Sequence, residues 1–315
     1  MHALTDVLSA LAGRLGSVDA KLLLLAVACH VANLLLRAGA WHAVLRAAHP
    51  GLLVRRRAVT GAYLAGVGVN SLAPARAGDV VRIGLAHRSI EGSTCTTVAT
   101  SLVAESALDA LMGLSLVLWA LHTGAVQGGI DPFSRLPHHP GPAGTVLLTA
   151  AVLVTAAGIA ARMGAARMRA FALRARHGLA IFRRPGLYLR AVALPQLVGW
   201  GFRAASVACF LGAFGIAAGG SQVALVLAAG SLAALVPAAP GGAGAQQALL
   251  IVLLRSVAAG AAVLSFSLGM QLVVTLVNVS LGTAAVALTL RCMPWSVRLA
   301  VAEPEPAPVT VTTEG

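Results

Sequence analysis

Two carboxylates stand four residues apart inside one long apolar run: Glu105 and Asp109, in segment 94–121. A spacing of four puts them on the same face of a helix, and Thr97 and Ser101 extend that stripe. A carboxylate near the bilayer centre costs about 2.5–3.5 kcal/mol on insertion scales. Two ionised carboxylates this close also repel, so at least one must be protonated or paired. Two readings follow. The pair is a proton or headgroup relay, or it forms an internal ion pair with Arg203, midway along the apolar run 190–217. Two further stripes have the same helical spacing: His30, Asn33 and Arg37, then Gln271, Thr275 and Asn278. Polar residues can serve simply to hold helices together. Three such stripes, taken with the broken segments below, point to a polar interior.

A second group of reactive types follows the short run 59–73. Asn70 is succeeded by Pro74, Arg76, Gly78, Asp79 and Arg82. Arginine suits phosphate recognition through its fork of donors, and a helix N-terminus after Pro74 adds partial positive charge. These residues are expected to take up the headgroup of an anionic lipid at the cytoplasmic face. The alternative is ordinary snorkelling of basic side chains. A third group is the turn around Pro237, Pro240, Gly241, Gly242 and Gly244, followed by Gln246 and Gln247. It lacks the Lys-Ser/Thr of a phosphate-binding loop. No nucleophile elbow or metal-binding helix motif occurs. No catalytic residue, metal or cofactor is expected.

The elements that hold these groups are dictated by composition. The chain has 315 residues, 58% hydrophobic and 10% charged, with mean hydropathy +0.86. Soluble domains carry about 25% charged residues, so this is an integral membrane protein. Its apolar runs are long and continuous, unlike the alternating segments of a β-barrel. The fold class is therefore an all-α polytopic membrane protein. Apolar segments cover 21–46, 59–73, 94–121, 144–162, 190–217, 221–238, 244–258 and 261–290. Five are long enough to span. Segment 59–73 is too short for the roughly 20 residues a spanning helix needs, and 221–238 and 244–258 flank the Pro/Gly turn.

Net charge is +13, but the excess lies in short loops between apolar runs, which sets orientation and excludes a nucleic-acid partner. Loop 162–190 holds eight arginines and no acid and is expected in the cytoplasm. Arg55, Arg56 and Arg57 precede segment 59–73, while Arg76, Arg82 and Arg88 follow it. Both clusters face the cytoplasm only if the segment enters and leaves by one face, as a re-entrant hairpin. Segments 221–238 and 244–258 form its inverted mate, or else both cross. The architecture is thus five to seven spans with one or two re-entrant hairpins in two inverted half-repeats, the pattern of a central transport site. Residues 1–20 are expected to form an amphipathic helix outside, 21–291 the membrane domain in the cell membrane, and 292–315 a disordered cytoplasmic tail. The four cysteines, Cys29, Cys95, Cys209 and Cys292, form no CxxC pair and read as small buried hydrophobes.

In order and spacing, the motif Asn70-x3-Pro74-x-Arg76-x-Gly78-Asp79-x2-Arg82, then Glu105-x3-Asp109, then Pro240-Gly241-Gly242-x-Gly244 resembles the membrane region of lysylphosphatidylglycerol synthase/flippase proteins. The resemblance covers about residues 20–290. It implies a flippase-like helical module that moves or presents a lipid, with no soluble synthase domain. The implied function is transbilayer movement of an anionic or aminoacylated phospholipid or related lipid carrier by a non-enzymatic transporter. Glu105, Asp109, Arg203, Gln271 and Asn278 would line its midplane. Other roles are a membrane subunit for a polyprenyl-phosphate glycosyltransferase or other lipid-modifying enzyme, and a non-transporting regulator. Several positions depart from the family's charged pattern, which commonly shows Glu at Asp79 and Arg at Ser106, and tends to show Arg-Glu at Gln246-Gln247 and an Arg at Gln271.

Overall fold

A computed structural model describes residues 18–73, 76–122, 177–234, 244–255 and 257–291, except the side chains of 121 and 289–291. The expected amphipathic segment 1–20, apart from its last three residues, lies outside the described residues. So do segment 144–162, most of the arginine-rich loop, and the tail.

All regular structure among the described residues is helical. The long helices are α1 (Ala20–Ala48), α2 (Arg56–Leu72), α3 (Ala77–Ser89), α4 (Cys95–His122), α5 (Leu194–Ala213), α6 (Gly220–Ala233), α7 (Ala245–Leu253) and α8 (Gly260–Arg291). A 3-10 turn (Ala180–Arg183), a short helix (Pro185–Tyr188) and a π turn (Leu189–Ala193) lead into α5. Asp19 caps α1: its carboxylate accepts from the backbone N–H of Lys21 at 2.8 Å and of Leu22 at 3.2 Å, satisfying donors that a helix start leaves free.

Ala20–Ala48, Cys95–Ala120 and Gly260–Leu288 are long and apolar enough to cross a bilayer. Helix α5 reaches spanning length, but Gln196 and Arg203 lower its apolarity. The sorting of side chains differs from a soluble protein's: apolar clusters fill much of the interior, but large apolar side chains also face outward and charged ones inward. Leu268, Leu272 and Leu276 form an exposed stripe on α8, and Leu111, Leu114 and Leu118 do so on α4. Glu105, Arg82, Gln196 and Asn278 are buried. Apolar exteriors around polar interiors are stable where the solvent is hydrocarbon. The protein is therefore a helical membrane protein.

The helix contacts form a reciprocal pattern. Helix α1 packs most extensively on α5. Helix α2 packs on α3 and on α8, while α6 packs on α7 and on α4. Among the described residues, α2 and α6 thus each lean on the helix that follows and on a long helix distant in sequence. The approach is closest where glycines face each other. A Cβ on Gly68 would stand 3.2 Å from the Cα of Gly282, and one on Gly66 would stand 2.7 Å from the carbonyl oxygen of Gly78. Only the missing side chains let these backbones meet.

Candidate functional site

Helices α2 and α3 form a tight hairpin. Its break is stitched by Asn70, whose Oδ1 accepts from the Gly78 N–H at 2.7 Å and whose Nδ2 donates to Asp79 at 3.1 Å. Arg76, immediately before α3, has φ 56° and ψ 35°, the only positive φ outside glycine among the described residues. The corresponding place before α7 is held by Gly244, with φ 84°. In α7 the third helical residue is Gln247, whose Oε1 accepts from the Gly244 N–H at 2.6 Å. In α3 the third helical residue is Asp79. The two turns therefore share an entry residue with positive φ and a polar residue three positions on. One carries charge and the other does not. Pro74 in the first turn lies outside the described residues, as do Pro237, Pro240, Gly241 and Gly242 in the second.

The expected midplane pair gains its partners from three helices. Glu105 is buried, and its Oε1 accepts from Arg37 Nη2 of α1 at 3.1 Å. Its Oε2 accepts from Arg82 Nη2 of α3 at 3.1 Å. Arg37 also pairs with Asp109, so one guanidinium bridges the two carboxylates and removes their mutual repulsion. Asp109 Oδ1 accepts a further bond from the indole N–H of Trp200 at 2.9 Å. Gln196 donates to the backbone carbonyl of Glu105 at 2.6 Å.

This corrects the expected pairing with Arg203. Glu105 and Asp109 are held by Arg37 and Arg82, which reach the same helix face from α1 and α3. Arg203 lies on α5 beside Trp200, 4.8 Å from the ring centroid. It makes no hydrogen bond or ion pair among the described residues. Arg82 is also placed differently from the exposed cluster the charge count suggested. It is 7% exposed, with its guanidinium carbon 4.1 Å from the Trp41 ring centroid and 4.2 Å from that of Tyr63. The two rings form an aromatic slot for the cation. Trp41 is fixed in turn by donation to Ser101 at 3.0 Å. Arg76, by contrast, is exposed, and Asp79 is partly buried against Asn70.

The other stripes join the same interior. His30 Nε2 and Asn278 Oδ1 are 2.9 Å apart, and Asn278 Nδ2 donates to Ser71 at 3.0 Å. The stripes of α1 and α8 thereby meet the end of α2. Gln271 is half-buried on α8. Gln246 approaches Arg203 across α6: a Cβ on Gly230 would be 3.8 Å from Arg203 Nη2 and 3.8 Å from Gln246 Nε2. The result is a polar interior fed by both hairpins. Ser71, Asn278 and His30 lie on one side, Arg203 with Gln246 on another, and Asp109, Arg37, Glu105 and Arg82 complete it.

Trp200, Gln196, Trp41 and Tyr63 were missed as site residues in the sequence. For α5 a signal existed: 196, 200 and 203 are spaced by four and three, one face of a helix. The aromatic slot leaves no such signal, because its two rings come from different helices.

The model of the family described as the lysylphosphatidylglycerol synthase TM region matches residues 4–282. No curated protein and no solved structure matches the chain.

Proposed function

The chain belongs to the family of the lysylphosphatidylglycerol synthase TM region, and from that premise we propose that it moves a phospholipid headgroup between the leaflets of the cell membrane. It acts as a transporter rather than an enzyme. The observation that carries this reading is the polar interior, enclosed by helices whose outer faces are leucine. A headgroup crossing a bilayer needs such a lining, since unsolvated charge in hydrocarbon is costly. The reciprocal contacts of α1 with α5, α2 with α8 and α6 with α4 support two inverted half-repeats, with α2–α3 and α6–α7 as re-entrant hairpins entering from opposite faces. In this arrangement Arg76 and Asp79 lie at the cytoplasmic mouth, and Glu105, Asp109, Arg203, Gln271 and Asn278 along the path. Membrane lipids are the partner.

Reconstitution in liposomes with a fluorescent phospholipid tests this. Addition of dithionite should bleach more than the outer-leaflet half when wild-type protein is present. The Glu105→Gln/Asp109→Asn variant, if it inserts as a monodisperse species, should lose that extra bleaching. Equal activity in both proteins would refute the role given to the pair.

A further inference from the structure

The charges of the interior do not balance, and the imbalance names a ligand. Arg37, Arg82 and Arg203 contribute three positive charges, and Glu105 and Asp109 two negative ones. Arginine stays protonated in proteins, so one positive charge is left over. It resides on Arg203. Arg37 and Arg82 are each paired with a carboxylate, whereas Arg203 has only the Trp200 ring. Asp109 is near enough to be felt by Arg203, but its oxygens are taken by Arg37 and the Trp200 N–H. Glu105 and Asp109 are the only acidic residues in any of the apolar segments. Arg203 is partly buried, and an uncompensated cation withdrawn from water is costly unless something pairs with it.

We propose that Arg203, with Gln246 beside it, is the binding site for a phosphodiester monoanion, the headgroup phosphate of an unmodified anionic phospholipid. The inference rests on the transport reading and sharpens its substrate. One negative charge cancels the excess, and a guanidinium binds phosphate oxygens through two parallel donors. Gln246 supplies an uncharged donor from the second hairpin. The same accounting disfavours an aminoacylated headgroup. A lysyl ester adds ammonium groups that need carboxylates, and both carboxylates here are already bound to arginine. The position that tends to be Glu in the family is Gln247, whose Oε1 is engaged by the Gly244 N–H. Site and substrate thus diverge from the lipid in the family's name.

The full-length protein, purified in neutral detergent, is equilibrated with micelles containing phosphatidylglycerol, lysylphosphatidylglycerol or phosphatidylcholine. Lipid retained after gel filtration is counted by mass spectrometry. Wild-type protein should retain about tenfold more phosphatidylglycerol than either other lipid, and Arg203→Gln should lose about that factor. Arg203→Lys should retain an intermediate amount, and Arg57→Gln, at the exposed start of α2, should match wild type. Without added lipid, Arg203→Gln should melt close to or above the wild-type temperature, because no internal anion is lost and only the contact with the Trp200 ring goes. Strong destabilisation would reveal such a partner and overturn the proposal. So would unchanged retention in Arg203→Gln, or equal retention of the lysyl lipid. Inorganic phosphate that displaces the lipid as effectively as phosphatidylglycerol itself would assign the site to a soluble anion and overturn the lipid assignment. Arg203-dependent retention without leaflet exchange would support this site and remove the transport reading. Leaflet exchange indifferent to Arg203→Gln would do the reverse.

Discussion

Replacing Glu105 by Gln leaves Arg82 caged between two rings with no anion and leaves Arg37 to Asp109 alone. The interior then carries two uncompensated positive charges rather than one. Breaking a buried pair by removing one partner costs about 3–5 kcal/mol, a large part of the 5–15 kcal/mol that typically separates folded from unfolded chains. The informative companion is Glu105→Leu/Arg82→Met. That double variant deletes one charge of each sign and keeps the Arg37–Asp109 bridge, so the interior returns to its original excess of one. Exchanging a buried ion pair for apolar groups of similar volume is often neutral or stabilising by about 1–4 kcal/mol. Thermal unfolding in detergent should therefore rank Glu105→Gln well below wild type, with the double variant close to wild type despite its extra substitution. A double variant no more stable than Glu105→Gln would show that charge balance does not govern this core, and the argument for Arg203 would fall with it.

Other expectations can be measured separately. Asn70→Ala removes both links across the first turn and should cost about 1–3 kcal/mol. Gly78→Ala should destabilise more than Gly84→Ala, since a Cβ on Gly78 meets the Gly66 carbonyl and Asn70 while one on Gly84 meets open space. Comparative melting of the two variants checks this directly. Cys95 is exposed at the start of α4. In a background where it is the only cysteine, a membrane-impermeant maleimide should label it from the cytoplasmic side, and labelling from outside would invert the proposed topology. Burial at the end of α1 lowers the pKa of His49 below its ordinary 6.5, and His177 adds to the effect. The unfolded chain takes up that proton first, so stability should fall as pH drops below about 6.5. His49→Gln should flatten the melting temperature over that range.

Much of the helical layout could be read directly from apolar run lengths, and the polar stripes from spacings of three and four. Segment 59–73 corresponds to α2, and 94–121 to α4, within a few residues. Where the polar stripes meet was not legible. Arg82 reads as a headgroup ligand at the cytoplasmic face, because charge counting measures which side a loop lies on and not how deep a side chain reaches. Its true partner is 23 positions away, and its aromatic slot is built from α1 and α2. Arg203 was noticed, but pairing it with Glu105 and Asp109 ignored Arg37, a nearer claimant on a helix packed against α4. Sequence periodicity reports which residues share a face. Competition between faces is settled only by packing.

The seat of α2 also sets a clock on the protein's birth. Its glycine face and Ser71 are completed by Gly282 and Asn278 of α8, whose helix ends about 220 residues after α2 does. At translation rates of roughly 5–20 residues per second, that is a wait of about 10–40 s. Throughout this interval the young hairpin has its own clasp at Asn70, its packing on α1, where Trp41 receives Arg82, and, once α4 emerges, the grip of Glu105 on Arg82. A slow ribosome or a weakened clasp would lengthen the exposure of an unfinished helix. Defects in this hairpin should therefore be felt first in the yield of inserted protein.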